Sequence, residues 1–408
     1  MFYPEAPLMK TLLSLLAVLL SALISAAEAP RPFFGARPGA LEKAKAAVAA
    51  GDETAKKALK KLVSDADKAL AAAPPTVMDK GKVPPSGDKH DYMSLAPYYW
   101  PNPASRDGLP YVRKDGKVNP ESRDESANDT LRAREIGATV ETLAVGYYFT
   151  REEKYAEHAA KVLRTWFLDP ETKMNPNFRF AQAVLGVNDG RGTGILEARE
   201  LAQAADAAVL LAGSKHWSVA DQKALDAWGN TYLDWLLKSK NGQDEHAAKN
   251  NHGTWYDVQA AHWALILGRK DKAREICAAA GPGRVGVQVQ ADGKQPLELV
   301  RTASFSYSCF NLRALATLAG LSEHAGFDLW HYKTADGRSI RTALDFLVPY
   351  LGKNPKPWTM QQIHESKPEE VLPALRAAGI AYGDDRYENL LKEYADSQTK
   401  RLQLLAPR

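Results

Sequence analysis

From residue 40 onward the chain keeps returning to one pattern, apolar residues three and four positions apart with polar residues between them. That period belongs to the α-helix. It predicts helices over residues 40–73, broken at Gly51-Asp52, then 128–150 with 151–166, and 195–212 with 218–237. Residues 255–267 pair with 271–280, 298–318 with 340–351, and 369–378 with 385–404. Ser218 followed by Asp221 reads as a capping box at the start of one of them. Helices paired in this way predict a single all-α domain of helical hairpins set around a ring, an (α/α) toroid or incomplete barrel. No repeat of fixed length accompanies the hairpins, which disfavours a tetratricopeptide-type solenoid. A short strand is expected over 285–293, where VGVQVQADG alternates.

Two segments break the helical order. Residues 83–127 contain HDYMSLAPYYWPNPASRDGLPYVRKDGKVNPES, and residues 172–194 end in NDGRGTG. Long loops in a compact domain are functional or disordered, and these are too rich in aromatic and charged side chains for disorder. A cleft-lining role is expected for both. A third irregularity is KNNHGTWYDVQ, residues 249–259. Adjacent asparagines are poor helix formers because their amides compete for backbone groups, and Gly253 adds a further cost. Local stability does not account for this composition. Asn250 and Asn251 supply neutral amide donors, and His252 an imidazole that can act as a base near neutral pH; Trp255 and Tyr256 follow.

Three further groups can carry chemistry. In QPLELVRTASFSYSCFNLRAL, residues 295–315, Arg301, Ser304, Tyr307 and Asn311 recur at helical spacing. Such a stripe is either a solvated face or one wall of a cleft. Tyr98, Tyr99 and Trp100, just before Pro101, are either platforms for sugar rings or pins for their own loop. Gly190-Arg191-Gly192-Thr193-Gly194 is either a plain turn or an anion cradle at a helix N-terminus. It lacks the GKS or GKT ending of a phosphate loop, which argues against nucleotide binding. His246, His252, His262 and His364-Glu365 show no ligand spacing that supports a metal site.

After Lys10 the chain reads TLLSLLAVLLSALISAAEA, an apolar core ending in small residues, which is the form of a secretory signal peptide. A leader over residues 1–29 and a mature domain over 30–408 are expected, in the periplasm or secreted, with no membrane attachment after leader removal. An uncleaved anchor is the other reading. The net charge is +4; Lys10 against Glu5 and Glu28 makes the leader −1 and leaves about +5 for the rest. That excess suits a polyanion. With no lysine-rich run and no nucleic-acid module, the expected partner is an acidic polysaccharide rather than nucleic acid. Cys277 and Cys309 lie in apolar, helical surroundings, as a disulfide or as buried thiols; no catalytic role is assigned to them.

With these residues in view, the chain resembles the alginate lyase superfamily, whose members carry an Asn-Asn-His-x-x-Trp signature on an (α/α) toroid. NNHGTW, DYMSLAPYYWPNP, GRGTGILEAREL and the QPLEL-R-x5-Y-x3-N run look like blocks of that family, and together they cover most of residues 85–320. The match is to a polyuronate lyase branch that includes alginate- and glucuronan-cleaving enzymes. Gly253 and Thr254 stand where the better-known alginate branch has Ser and Tyr, a departure that bears on strict polymannuronate specificity.

The resemblance implies β-elimination on a uronate without metal or organic cofactor. Such a reaction must neutralise the C5 carboxylate, remove the C5 proton and protonate the O4 leaving group. It implies Asn251 and Arg301 at the carboxylate and Tyr307 as the acid. Tyr307 also becomes the base when H5 and O4 share a face, and His252 when they lie on opposite faces. Tyr98, Tyr99 and Trp100 would shape subsites, and Arg191 a neighbouring carboxylate contact, with Asn250, Trp255 and Asn311 also at the substrate.

Two other functions compete. A glycoside hydrolase on an (α/α) barrel would need two carboxylates flanking the bond, drawn from Asp91, Asp189, Glu197, Asp257 and Glu298. A non-catalytic polysaccharide-binding protein would keep the aromatic residues and positive charge and have no use for His252 and Tyr307.

Overall fold

Most of the predicted helices form, with residues 395–399 of the one expected over 385–404 outside the described residues, and burial divides them into two classes. The computed structural model describes residues 31–394 and 400–408, so the leader expected over residues 1–29 lies outside the described residues. The helices are α1 (Ala40–Ala49), α2 (Glu53–Ala69), α3 (Thr130–Thr150), α4 (Glu153–Leu163), α5 (Arg199–Ala207), α6 (Val219–Lys238) and α7 (Lys240–His246). They continue as α8 (Asn251–Ile266), α9 (Lys270–Ala280), α10 (Ser304–Ala325), α11 (Ile340–Leu347), α12 (Leu372–Tyr382) and α13 (Asp385–Leu391), with shorter helical turns between. Helix α3 packs on α5, α5 on α8, α8 on α10 and α10 on α12. These inner helices follow one another round a ring. Helices α4, α9, α11 and α13 back them from outside, and the turn Leu402–Leu405 lies against α1 and α2. The result is an incomplete (α/α) toroid, and Phe33–Arg408 packs as one compact unit.

The inner helices are apolar on nearly every side, as helices enclosed by others must be. Helix α8 buries every residue except His252 and His262. Trp166, Trp263, Tyr155 and Tyr232 are fully enclosed, and each side chain of this kind contributes roughly 1.5–3 kcal/mol over its exposed state. The outer helices present one apolar stripe. Helix α6 opens with the predicted capping box: Ser218 Oγ accepts from Asp221 N, and Asp221 returns the bond to Ser218 N. Among the described residues no helix is long and apolar enough to cross a membrane.

Three expectations require correction. No strand forms over 285–293; a π-turn, Gly281–Val285, runs into a helical turn, Gly286–Gln288. Helical spacing there turns Val285, Gln288 and Val289 inward together, and Gln288 is needed inside to join Asn250, Thr254 and Asn311. The helix expected over 298–318 is broken, with Pro296–Leu299 forming one turn and α10 starting at Ser304. The irregular segments also contain short strands: β1 (Met93–Leu95), β2 (Tyr99–Trp100), β3 (Val112–Arg113) and β4 (Phe180–Ala183). Strand β1 pairs in parallel with β4, and β2 antiparallel with β3. Cys277 and Cys309 are buried free thiols.

Candidate active site

The Asn-Asn-His-Gly stretch is the start of α8. Asn250 is its N-cap, with Oδ1 accepting from His252 N at 3.3 Å. An asparagine costs little at this position because its side chain replaces a missing backbone partner. Gly253 is required by close approach: a Cβ there would stand 2.1 Å from Ala248 O and 2.4 Å from an Arg284 guanidinium nitrogen. Arg284 occupies that space to tie the region together. It donates to Ala248 O and His246 O, both at 2.8 Å, and to the Asp257 carboxylate at 2.7 and 3.1 Å.

Asn251 and His252 are each held by a buried glutamate. Glu298 Oε1 accepts from Asn251 N at 2.7 Å and Oε2 from Asn251 Nδ2 at 2.8 Å. Asn251 is completely buried, and its Oδ1 has no protein partner. Burial pushes the Glu298 pKa up, against the two Asn251 donors and the nearby charges of Arg301 and His252. His252 keeps a fifth of its side chain accessible, while Nδ1 lies 2.7 Å from Oε1 of buried Glu245. A carboxylate at Nδ1 fixes the ring proton there and leaves Nε2 free to accept one.

The break before α10 gives Arg301 its direction. Released from helical geometry, Arg301 turns to Asp115 in the first irregular segment, at 2.8 and 3.1 Å. Its guanidinium also donates to Tyr307 Oη at 2.6 Å and lies 3.6 Å from the centre of that ring. Tyr307 Oη in turn donates to Tyr98 Oη at 2.8 Å. Burial acts to raise the Asp115 pKa, but the hydrogen bonds and charge of Arg301 prevail and hold the carboxyl well below the usual range. Burial, and then the adjoining Tyr98 phenol, push Tyr307 well above an ordinary tyrosine, with Arg301 opposing. Tyr307 therefore rests as a protonated phenol beside a permanent cation.

Arg191 donates to Gln182 O and Oε1 at 3.1 and 3.0 Å, and its guanidinium stands 5.0 Å from the Tyr99 ring centre. Trp100 is half-buried, with Nε1 on Lys117 O. The glycines flanking Arg191 serve packing, since a Cβ on Gly190 would meet Arg179 O at 2.2 Å and one on Gly192 would meet Asn241 O at 2.7 Å. Asn311 is fully buried and gives its amide to Gln288 and Gln295, so it braces the interior rather than lining the cleft. Trp255 is also buried, packed on Phe310 between Arg199 and Arg313, one turn deeper than His252.

Asp115, Glu245 and Glu298 were not singled out for this site from sequence. Their roles depend on partners distant in the chain, 186 positions for Asp115 and 47 for Glu298. The carboxylates proposed for hydrolysis are engaged elsewhere or exposed. Glu298 holds Asn251, Asp257 holds Arg284, Glu197 accepts from Tyr92 and Ser94, Asp91 accepts from Ser86 and Asn175, and Asp189 stands on the surface.

Residues 76–358 match the alginate lyase family model. An alginate lyase from Bacteroides ovatus is 38% identical, with 92% of this chain and 99% of that one covered at a TM-score of 0.86. Alginate lyase A1-III from Sphingomonas species A1 is 17% identical, covering 86% and 94% at 0.52, and so is similar in fold. A histidine-to-alanine variant of that enzyme, solved with a tetrasaccharide, is 16% identical with the same coverage and TM-score. No curated relative matches the chain. The family model and the Bacteroides ovatus structure, each spanning most of this toroid, make the chain a member of the alginate lyase family of polysaccharide lyases.

Proposed function

We propose that this protein cleaves a polyuronate by β-elimination, with alginate as the first substrate to test and glucuronan as the second. The observation that carries the reading is the Asp115–Arg301–Tyr307–Tyr98 chain of contacts. It sets a phenolic proton donor against a fixed cation at one wall of a half-buried site. Arg301 neutralises the C5 carboxylate, lowering the cost of carbanion character at C5. Asn251 adds the second hydrogen of its amide, the first being held by Glu298, once substrate entry uncovers it.

His252 Nε2 takes the C5 proton when H5 and O4 lie on opposite faces. Tyr307, resting protonated, gives its proton to O4 as the C4–O4 bond breaks. When both groups lie on one face, Tyr307 passes its own proton to O4 and takes H5 in its place, and Arg301 over its ring stabilises the phenolate character that this exchange requires. Every step is assigned to a side chain, and none calls for a metal. Tyr98, Tyr99, Trp100 and Arg191 line the approach. The names of the related lyases and the tetrasaccharide bound to one of them support an acidic polysaccharide as substrate. The apolar run of residues 11–27 supports export to the periplasm or beyond.

Ultraviolet absorbance during incubation with polymannuronate, polyguluronate, glucuronan and pectate tests the reading. Growth of a C4–C5 unsaturated product, lost in Tyr307→Phe, is the expected result. Reducing ends without unsaturation would replace elimination by hydrolysis.

A further inference from the structure

Further along the same inner helices lies a second cavity. Its volume is 570 Å³, inside the roughly 300–1,000 Å³ of small-molecule sites. Arg199 from α5, Trp255 and His262 from α8, Arg313 and Gly320 from α10, and Arg401 contribute to its lining, whereas Asn251, His252, Arg301 and Tyr307 do not. At the helical rise, His262 stands about 15 Å along α8 from His252.

Three features of this cavity have no explanation in the fold. Its buried polar atoms are unmatched. Among the described residues Trp255 Nε1, His262 Nε2, Arg199 Nε and Arg401 Nε have no hydrogen-bond partner, although Trp255 is only 5% exposed. His262 Nε2 is 3.1 Å from Asp206 and Arg199 Nε 2.9 Å from Glu200, but neither contact has hydrogen-bond geometry. Buried donors are rarely left in this state. The second feature is charge. Arg37, Arg199 and Arg401 face Glu323, Glu200 and Glu141, while Arg313 contacts the Trp255 and Phe310 rings and has no carboxylate among the described residues. The third is Gly320. Glycine inside a helix is unfavourable, and a Cβ at this position would meet nothing within 4 Å. Close packing does not require it; the cavity is simply wider for it.

We propose that this cavity is a second binding site, distinct from the catalytic mouth, for a short uronate of one or two sugar residues. The ligand class rests on the polyuronate reading above. Arg313 meets the carboxylate, and the N–H groups of Trp255, Arg199 and Arg401 meet hydroxyl or ring oxygens. The vacancy at Gly320 admits the sugar, and unsaturated uronates are the products that the reading above assigns to the catalytic mouth.

The test is calorimetric titration of the full chain carrying Tyr307→Phe, which removes turnover, with saturated mannuronate disaccharide. Two sites are expected. Gly320→Leu, which fills the cavity and suits a helix, and Arg313→Gln should each weaken one site at least tenfold and leave the other unchanged. Arg301→Gln should do the reverse, and neutral mannobiose should not occupy the cavity. Disaccharide binding that both cavity variants leave within twofold overturns the proposal. Gly320→Leu decides it alone if Arg313→Gln does not fold. A chain that produces no unsaturated product, yet loses disaccharide binding through Gly320→Leu, sinks the catalytic reading and keeps the cavity. A working lyase whose disaccharide binding ignores Gly320→Leu sinks the cavity alone.

Discussion

On α8 the two residues that escape full burial are His252 and His262, and their surroundings differ. His252 has Glu245 at hydrogen-bond distance, beside an asparagine locked to Glu298 and an arginine locked to Asp115. His262, further along the helix, stands near a carboxylate without bonding to it, among arginine and tryptophan N–H groups that lack acceptors among the described residues. The first site is organised before substrate arrives, which is how a site lowers a reaction barrier. The second holds donors in waiting. One helix therefore carries two kinds of polar environment, and burial alone does not distinguish them; hydrogen-bond matching does.

The sharpest way to break this comparison is Tyr307→Phe, which removes the proposed proton donor. A loss of about 10²–10⁴ in kcat is expected, with the two cavity variants above leaving kcat unchanged. The pH profile sharpens it further. Because Tyr307 is raised above 10 in the folded protein, it keeps its proton through pH 10, and rate loss from its ionisation falls on the alkaline side of that value. An alkaline limb centred below pH 9 would contradict the assignment. Glu245→Gln comes next: an amide at Nδ1 no longer fixes the His252 tautomer, and kcat should fall about 10–100-fold. The fall should be confined to substrates whose H5 and O4 lie on opposite faces, measured by product absorbance.

Asp115→Asn weakens the charge-assisted hold on Arg301, worth about 1.5–3 kcal/mol. KM should rise roughly tenfold with a smaller change in kcat. The smallest effects oppose each other. Gly253→Ala drives a methyl group into Ala248 O and Arg284, and thermal unfolding should show about 1–3 kcal/mol of destabilisation. Gly320→Ala meets nothing and should stabilise by up to about 1 kcal/mol. Equal responses at the two glycines would remove the contrast between a crowded mouth and an open cavity.

The sequence makes the mouth legible where it violates a local rule. Asn250 and Gly253 are poor choices for a helix interior, and both prove to be set by the start of α8, one as its cap and the other as a point of close approach. The hairpins were legible for the ordinary reason that burial follows the 3.6-residue period. The strand expected over 285–293 failed because alternating Val and Gln fits two periods, and the demand for Gln288 inside selected the helical one. Trp255 follows His252 at a spacing that shares a helix face, and nothing local in the sequence marks its burial against Phe310 between Arg199 and Arg313. Asp115 could not be found at all: nothing local marks an aspartate whose partner is an arginine in the other half of the chain.

That separation has a consequence for how the enzyme comes into being. Arg301 and Asp115 are 186 positions apart, and the segment between them contains three of the inner helices, α3, α5 and α8. In the folded chain the packing of α3 on α5, α5 on α8 and α8 on α10 lies between the two partners. Activity is thus a gauge of completed assembly: as denaturant is added, turnover should vanish while helix content survives, because helices need only local contacts and this pair needs both halves of the machine.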